Sequence, residues 1–315
     1  MDVLIAIALL VVGFVLLIKG ADCFVDGAAG IAARFGIPQL VIGLTIVAMG
    51  TSAPEAAVSI TAARNGNAGI TVGNVLGSNI MNVLVILGIT SIITAIAVQK
   101  STVRYELPFM LAITVVLLVF GWTGGEIILG EGIALWVLFL VYLAYLFIMA
   151  KNGQAEEEEE KKRPLWLQIV MLIIGAAAIV FGSDLTVDNA TIIAQKCHMS
   201  ESLIGLTIVA FGTSLPELVT SVTAAKKGKA DIAIGNIVGS NIFNILFVTG
   251  TTALIIPVQF AESFILDSVV AIAAGILLWV GVLKDQKLKR PVGVIMLVGY
   301  GIYFAYLLMQ NYGML

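Results

Sequence analysis

One histidine, His198, and two cysteines, Cys23 and Cys197, are all the imidazole and thiol this chain possesses. The cysteines follow no spacing pattern and do not fall at matching positions of the repeat described below, so neither a disulfide nor a thiolate metal site is expected. A lone histidine near a helix end excludes an imidazole metal cluster and argues against a histidine-dependent hydrolase. No G-x-S-x-G elbow supplies a serine nucleophile, so the chain does not read as an enzyme, and no cofactor is expected. Charge is equally scarce, with 12% Asp, Glu, Lys and Arg against 60% hydrophobic residues. Such a chain cannot keep its surface soluble. Its net charge of −3 says nothing about partners, and neither nucleic acid nor an obligate protein partner is inferred.

What is abundant is long apolar sequence. The runs between polar or Gly/Pro breaks predict an all-α polytopic membrane protein of about ten transmembrane helices. They span roughly residues 3–33, 37–63, 69–98, 105–121, 126–149, 164–194, 201–225, 231–256, 263–283 and 291–312. The first run lacks a basic front end and a small-residue cleavage signature, so it reads as a retained helix. Two five-helix repeats, residues 1–150 and 164–315, flank a hydrophilic linker at 151–163 that carries the run Glu156 to Glu160. That run reads as a solvated spacer. An odd number of spans per repeat inverts one half relative to the other. The basic residues agree: with the N-terminus outside, Arg34, Lys100, Arg104, Lys151, Lys161, Lys162, Arg163, Lys226, Lys227, Lys229, Lys284, Lys287, Lys289 and Arg290 fall inside. Only Arg64 and Lys196 fall outside, so both termini are expected to be extracytoplasmic.

The halves are copies. Residues 41–88 align on 203–250 without a gap, 162 positions apart, with 28 identities in 48 positions. Val, Ile, Leu and Ala drift between the copies. Thr51, Ser52, Glu55, Asn74, Ser78, Asn79 and Asn82 nevertheless return as Thr213, Ser214, Glu217, Asn236, Ser240, Asn241 and Asn244. Polar groups held in register within motifs 43–88 and 205–250 suggest a shared ligand cage.

Glu55 and Glu217 lie within apolar helices, where an ionised carboxylate is costly unless cations or dipoles compensate it. The bland alternative is a pair of protonated or hydrogen-bonded core acids. Each glutamate follows a proline. Pro54 has no N–H for the Gly50 carbonyl and Pro216 none for that of Gly212, so each helix is expected to break at Gly-Thr-Ser. Irregular backbone at membrane depth is tolerated where it lines a polar cavity. Carboxylates, hydroxyls, amide oxygens and carbonyls are hard ligands, which selects sodium, calcium or similar cations over zinc, copper or iron. Two carboxylates balance one divalent ion or several monovalent ones, and competition for the same oxygens yields exchange. Gly73, Gly77, Gly235 and Gly239 bracket the polar face and allow close helix approach. Asp22 and Asp26, with mates Asp184 and Asp188, read as helix-end solvation or ion pairing, with Lys19 able to reach Asp22.

The motifs Gly50-Thr-Ser-Ala-Pro-Glu55 and Gly212-Thr-Ser-Leu-Pro-Glu217, each followed by Gly-Asn-x-x-Gly-Ser-Asn, resemble the alpha repeats of the calcium/cation antiporter superfamily, above all prokaryotic sodium/calcium exchangers. The resemblance implies an antiporter exchanging Na+ for Ca2+ across a prokaryotic inner membrane by alternating access. It also implies a central site of four cation positions, with the first and sixth helices sliding over the others. Carried over by motif position, Thr51, Glu55, Thr213 and Glu217 would bind calcium. Ser52, Ser78, Ser214, Ser240 and the carbonyls of Ala48 and Ala210 would bind sodium, with Asn82 and Asn244 lining the cage. Some relatives carry Asp at one of these last two positions; here both are Asn, which leaves two intrinsic charges. Proton-coupled or potassium-dependent calcium exchange is the runner-up, and a cation channel is more remote.

Overall fold

A computed structural model describes residues 3–152, 163–197 and 210–311. Most of the acidic linker, His198 and the first nine residues of the expected seventh helix lie outside the described residues. The described residues are almost entirely helical. In order it forms α1 (Val3–Phe35), α2 (Gln39–Thr51), α3 (Ala53–Arg64), α4 (Gly69–Ile93), β1 (Ile96–Ala97), α5 (Thr102–Gly124), β2 (Glu126–Ile127), α6 (Leu129–Asn152) and α7 (Leu165–Lys196). It continues as α8 (Ala210–Gly212), α9 (Leu215–Lys226), α10 (Ala230–Ile255), β3 (Val258–Gln259), α11 (Ser263–Leu283), β4 (Lys287–Leu288) and α12 (Arg290–Asn311). Among the described residues eight helices are long and apolar enough to cross a membrane, or nine when the bent pair α2 and α3 counts as one.

Among the described residues four stretches are π-helical: Gly43–Val47 in α2, Asn82–Leu87 in α4, Thr102–Glu106 at the start of α5 and Asn244–Thr249 in α10. Those in α4 and α10 are repeat mates, each opening on an asparagine of the motif. A π turn displaces carbonyls from their usual i+4 donors, and such turns gather at functional positions. Gly66 and Gly228, also repeat mates, take φ of +83° and +77°. That left-handed conformation, cheap only for glycine, lets α3 and α9 stop and the chain reverse.

Contacts divide the chain into two compact units, each drawing on both halves of the sequence. Met1–Glu55 and Val141–Ser240 form one, Ala56–Leu140 and Asn241–Leu315 the other. In the first unit α1 and α7 pack along their length through glycine. A methyl group on Gly13 would lie 2.9 Å from the Thr186 main chain, and one on Gly175 would lie 2.5 Å from that of Phe24. Leu17, Phe24, Ala28 and Ile179 fill the seam. In the second unit Gly275 of α11 admits Leu111 of α5, and Gly88 of α4 meets Leu297 of α12. Trp136, Phe139, Phe243 and Phe247 form an aromatic cluster there, with the last two stacked at 4.6 Å. Two short antiparallel ladders tie its loops: β1 to β4 (Ile96 opposite Leu288) and β2 to β3 (Ile127 opposite Val258).

Burial separates the helices. The most apolar stretch of α10 is 94% buried and that of α4 is 78%, against 11% for α12 and 22% for α1, α6 and α7. The helices that carry Ser78, Asn82, Ser240 and Asn244 are therefore the buried ones. Exposed Leu4, Phe147, Ile173 and Ile302 on the others suit contact with lipid tails.

Candidate functional site

The proline arithmetic holds at both copies. Ser52 leaves the helical region at φ −86° and ψ 8°, and the axis turns by 49° between α2 and α3. Ser214 does the same at φ −93° and ψ 3°, between α8 and α9. Each break falls on the serine of Gly-Thr-Ser, two residues before the proline, while Gly50, Thr51 and Gly212 are still helical. One freed carbonyl has found a donor, since the Ser183 hydroxyl of α7 donates to Gly212 O at 2.9 Å. Ala21, the repeat mate of Ser183, has no hydroxyl to offer Gly50.

Around these breaks the first unit gathers buried oxygen. Glu55 and Glu217 are each 1% exposed. The Ser52 hydroxyl donates to Glu217 Oε1 at 2.7 Å, a charge-assisted distance. Glu217 Oε2 and Ser214 Oγ are buried without a hydrogen bond from the protein. Thr51 Oγ1 has one hydrogen and three acceptors in reach: Val47 O and Ala48 O at 3.2 Å, and Asn236 Oδ1 at 2.9 Å. Ser240 Oγ lies 3.4 Å from the Ala48 carbonyl. Thr213 is half-buried in the turn after α8, and Ala210 opens α8.

Asn236 was legible as a recurring residue but is absent from the predicted ligand set. It is fully buried, and its amide donates to Ser221 Oγ at 2.9 Å and Glu217 O at 3.4 Å while its oxygen faces Thr51. It braces the break from the α10 side. Its mate Asn74 donates to Ser59 at 3.0 Å in the second unit. The shared i, i+4 and i+19 offsets from the glutamates were the available signal.

The second unit holds an asparagine quartet. Asn79 Nδ2 donates to the Asn241 carbonyl and Asn241 Nδ2 to the Asn79 carbonyl, both at 3.2 Å. Asn82 Nδ2 donates to Asn241 Oδ1 at 2.9 Å, and Asn244 Nδ2 to Asn79 Oδ1 at 3.2 Å. The Oδ1 atoms of Asn82 and Asn244 are buried with no hydrogen bond from the protein. Ser78 is buried one turn from Asn82.

The glycine expectation is met on α10. A methyl on Gly239 would stand 2.7 Å from Leu44 O, and one on Gly235 3.0 Å from the Gly43 backbone, so α10 and α2 touch main chain to main chain. Gly73 instead meets the Phe264 ring at 3.3 Å. Asp22 and Asp26 do form ion pairs, but their partner comes from the α9–α10 turn: Lys227 Nζ lies 3.3 Å from Asp22 and 2.7 Å from Asp26. Lys19 on the same helix is not that partner, because a contact 205 residues away in sequence outcompetes a local i+3 geometry.

No group of three or more His, Cys, Asp or Glu side chains fit to hold a metal occurs among the described residues. The oxygen donors around the glutamates are neutral, which suits a passing hard cation better than a resident transition metal. Helices broken just before two buried carboxylates, in a chain with eight described helices long and apolar enough to cross a membrane, define an integral membrane cation transporter. The sodium/calcium exchanger protein family matches residues 5–148 and again residues 167–309, and the chain belongs to that family. It is a transporter of the cation/calcium exchange class and not an enzyme. The sodium/calcium exchanger MaX1 of Methanosarcina acetivorans is 32% identical, over 93% of this chain and 95% of that one. The inner membrane protein YrbG of Escherichia coli K12 is 38% identical, over 96% and 97%. A solved structure of the sodium-calcium exchanger NCX_Mj, soaked with zero Na+ and Ca2+, superposes with a TM-score of 0.85 at 33% identity, covering 97% of this chain and all of that one.

Proposed function

We propose that this protein exchanges sodium for calcium by alternating access, with both ions competing for one set of oxygens. Thr51, Glu55, Thr213 and Glu217 take calcium. Ser52, Ser78, Ser214, Ser240 and the carbonyls of Ala48 and Ala210 take sodium, while Asn82 and Asn244 line the cage. The carrying observation is Glu217: one carboxylate oxygen rests on the Ser52 hydroxyl, and the other is buried without a donor. An ionised carboxylate left half-satisfied at membrane depth costs several kcal/mol, of order, unless a cation completes it. The similarity to MaX1 and NCX_Mj, both named as sodium/calcium exchangers, supports the choice of ions.

Ten spans in two inverted repeats, 1–150 and 164–315, remain the topology proposed, joined by the cytoplasmic linker 151–163. The ladders support it. Strands that hydrogen-bond lie on one side of the membrane, so an even number of crossings separates them. Between β2 and β3 run α6, α7 and α10, and between β1 and β4 run these three with α5 and α11. Both counts become even with one further crossing between α7 and α10, which is where the seventh span of the proposed topology belongs. The β1–β4 ladder also groups the helix ends and connections holding Lys100, Arg104, Lys284, Lys287 and Lys289, whereas the β2–β3 ladder groups those holding Glu126, Glu131 and Glu262. The first side is then cytoplasmic, the second extracytoplasmic, and both termini lie outside an inner membrane.

The test is calcium flux in proteoliposomes. An outward sodium gradient at fixed pH should load the vesicles with calcium. Uptake that follows a pH gradient and ignores sodium would establish proton coupling in its place.

A further inference from the structure

The asparagine quartet does more than line a cage. We propose that Asn79 and Asn241 are positioning residues that fix the amides of Asn244 and Asn82, so that each presents its oxygen, and not its N–H groups, to the transported cation. The inference rests on the reading that Asn82 and Asn244 face the ions.

An asparagine amide has a donor end and an acceptor end of nearly equal size, and only hydrogen bonding decides which way it turns. In a cation site the wrong turn aims two N–H groups at a positive charge. A carboxylate does not face this choice, since both of its ends accept. With Asn at both 82 and 244, the chain needs something to set the orientation.

The quartet supplies an absolute reference. The main-chain carbonyl of Asn241 can only accept, and it takes the Asn79 amide at 3.2 Å. This turns Asn79 Oδ1 outward as an acceptor, and the Asn244 amide donates to it at 3.2 Å. The mirrored chain runs from the Asn79 carbonyl through Asn241 to Asn82, at 3.2 and 2.9 Å. Flipping Asn244 would set its oxygen against the Asn79 oxygen; flipping Asn79 as well would set oxygen against the Asn241 carbonyl. Each chain therefore ends on an Oδ1 that is buried and without a donor, at Asn82 and at Asn244. Leaving two acceptors in this condition costs roughly 1–3 kcal/mol each unless a ligand uses them. The carbonyls that anchor the scheme lie three residues before Asn82 and Asn244, where the π-helical stretches begin.

The experiment measures the sodium concentration giving half-maximal calcium uptake in proteoliposomes, alongside the maximal rate. Asn79→Ala leaves the Asn244 amide free to turn and should raise the half-saturating sodium about fivefold, the equivalent of one neutral hydrogen bond, with the maximal rate largely kept. In an Asn244→Asp background, where no orientation needs fixing, the same Asn79→Ala change should alter half-saturation less than about twofold. Equal cost in both backgrounds, or a loss confined to the maximal rate, would mean that Asn79 serves packing alone and would overturn the proposal. Wild-type sodium dependence for Asn79→Ala beside a defective Asn244→Ala would overturn it while leaving the cage reading intact. Wild-type behaviour of both Asn82→Ala and Asn244→Ala would sink the cage reading and the proposal together. Should Asn79→Ala fail to accumulate, the mirrored comparison of Asn241→Ala with and without Asn82→Asp decides the matter.

Discussion

Adding one methyl group at Gly239 tests whether the close approach of α10 to α2 sets the geometry of the oxygen cluster. An alanine Cβ there would stand 2.7 Å from the Leu44 carbonyl oxygen and 2.8 Å from the Ala48 Cβ, where ordinary contact begins at 3.4 Å. One helix must retreat by roughly 0.7 Å, because the obstacle is main chain and cannot rotate away. Overpacking of this kind costs about 1–3 kcal/mol. The displaced segment includes Ala48, whose carbonyl lies 3.4 Å from Ser240 Oγ, so the retreat breaks that contact as well. Gly239→Ala should therefore lower the thermal unfolding midpoint in detergent and raise the sodium needed for half-maximal calcium uptake. Gly299→Ala in α12, where a methyl meets nothing within 4 Å, is the matched control and should neither lower the midpoint nor change the sodium dependence. If Gly239→Ala retained the wild-type midpoint and sodium dependence, the main-chain contact would not be what holds Ala48 and Ser240 together.

Glu55→Gln and Glu217→Gln should each abolish sodium-driven calcium uptake while folded protein still accumulates, since a divalent ion in low dielectric needs both charges; near-normal uptake in either removes that residue from the site. Ser78→Ala and Ser240→Ala should raise the sodium requirement several-fold, of order, and leave calcium affinity nearly as it was, because a neutral hydroxyl contributes about 1 kcal/mol to the smaller charge; an equal effect on both ions would disprove separate roles. In a chain lacking Cys23 and Cys197, an impermeant thiol reagent applied to intact cells should label a cysteine at Gln259 and spare one at Lys287. Labelling of Lys287 would reverse the orientation assigned to both ladders.

The helix breaks were legible because proline acts through a missing donor, a local cause that needs no tertiary information, and the repeat stated it twice. Helix α11 runs over Ser263–Leu283, the span its apolar run delimits. The π-helical stretches had no such signature: they depend on which carbonyl each N–H reaches, and their residues are ordinary helix formers. The ladders involve two residues per strand, too few for any alternation to show. Lys227 hid as the partner of Asp22 and Asp26 for another reason, since sequence spacing can propose only neighbours on the same helix. The quartet fell between these cases. All its members were visible as recurring asparagines, but which amide ends meet is a matter of orientation that composition does not encode.

Ser183 and Ala21 occupy the same place in the duplication, yet only the serine can donate to the carbonyl exposed by its proline. The two copies are thus chemically unequal at the point where each helix is broken. In an inverted carrier, equal halves would give the inward- and outward-open forms equal energy and equal waiting times. Inequality lets one form become the resting state. Detailed balance forbids this bias from altering where transport stops, which the ion gradients alone decide, but it leaves the two half-cycles free to run at different speeds. If the proposed alternating-access cycle holds, one hydroxyl, which cannot change the end point of exchange, would make its two directions kinetically unequal.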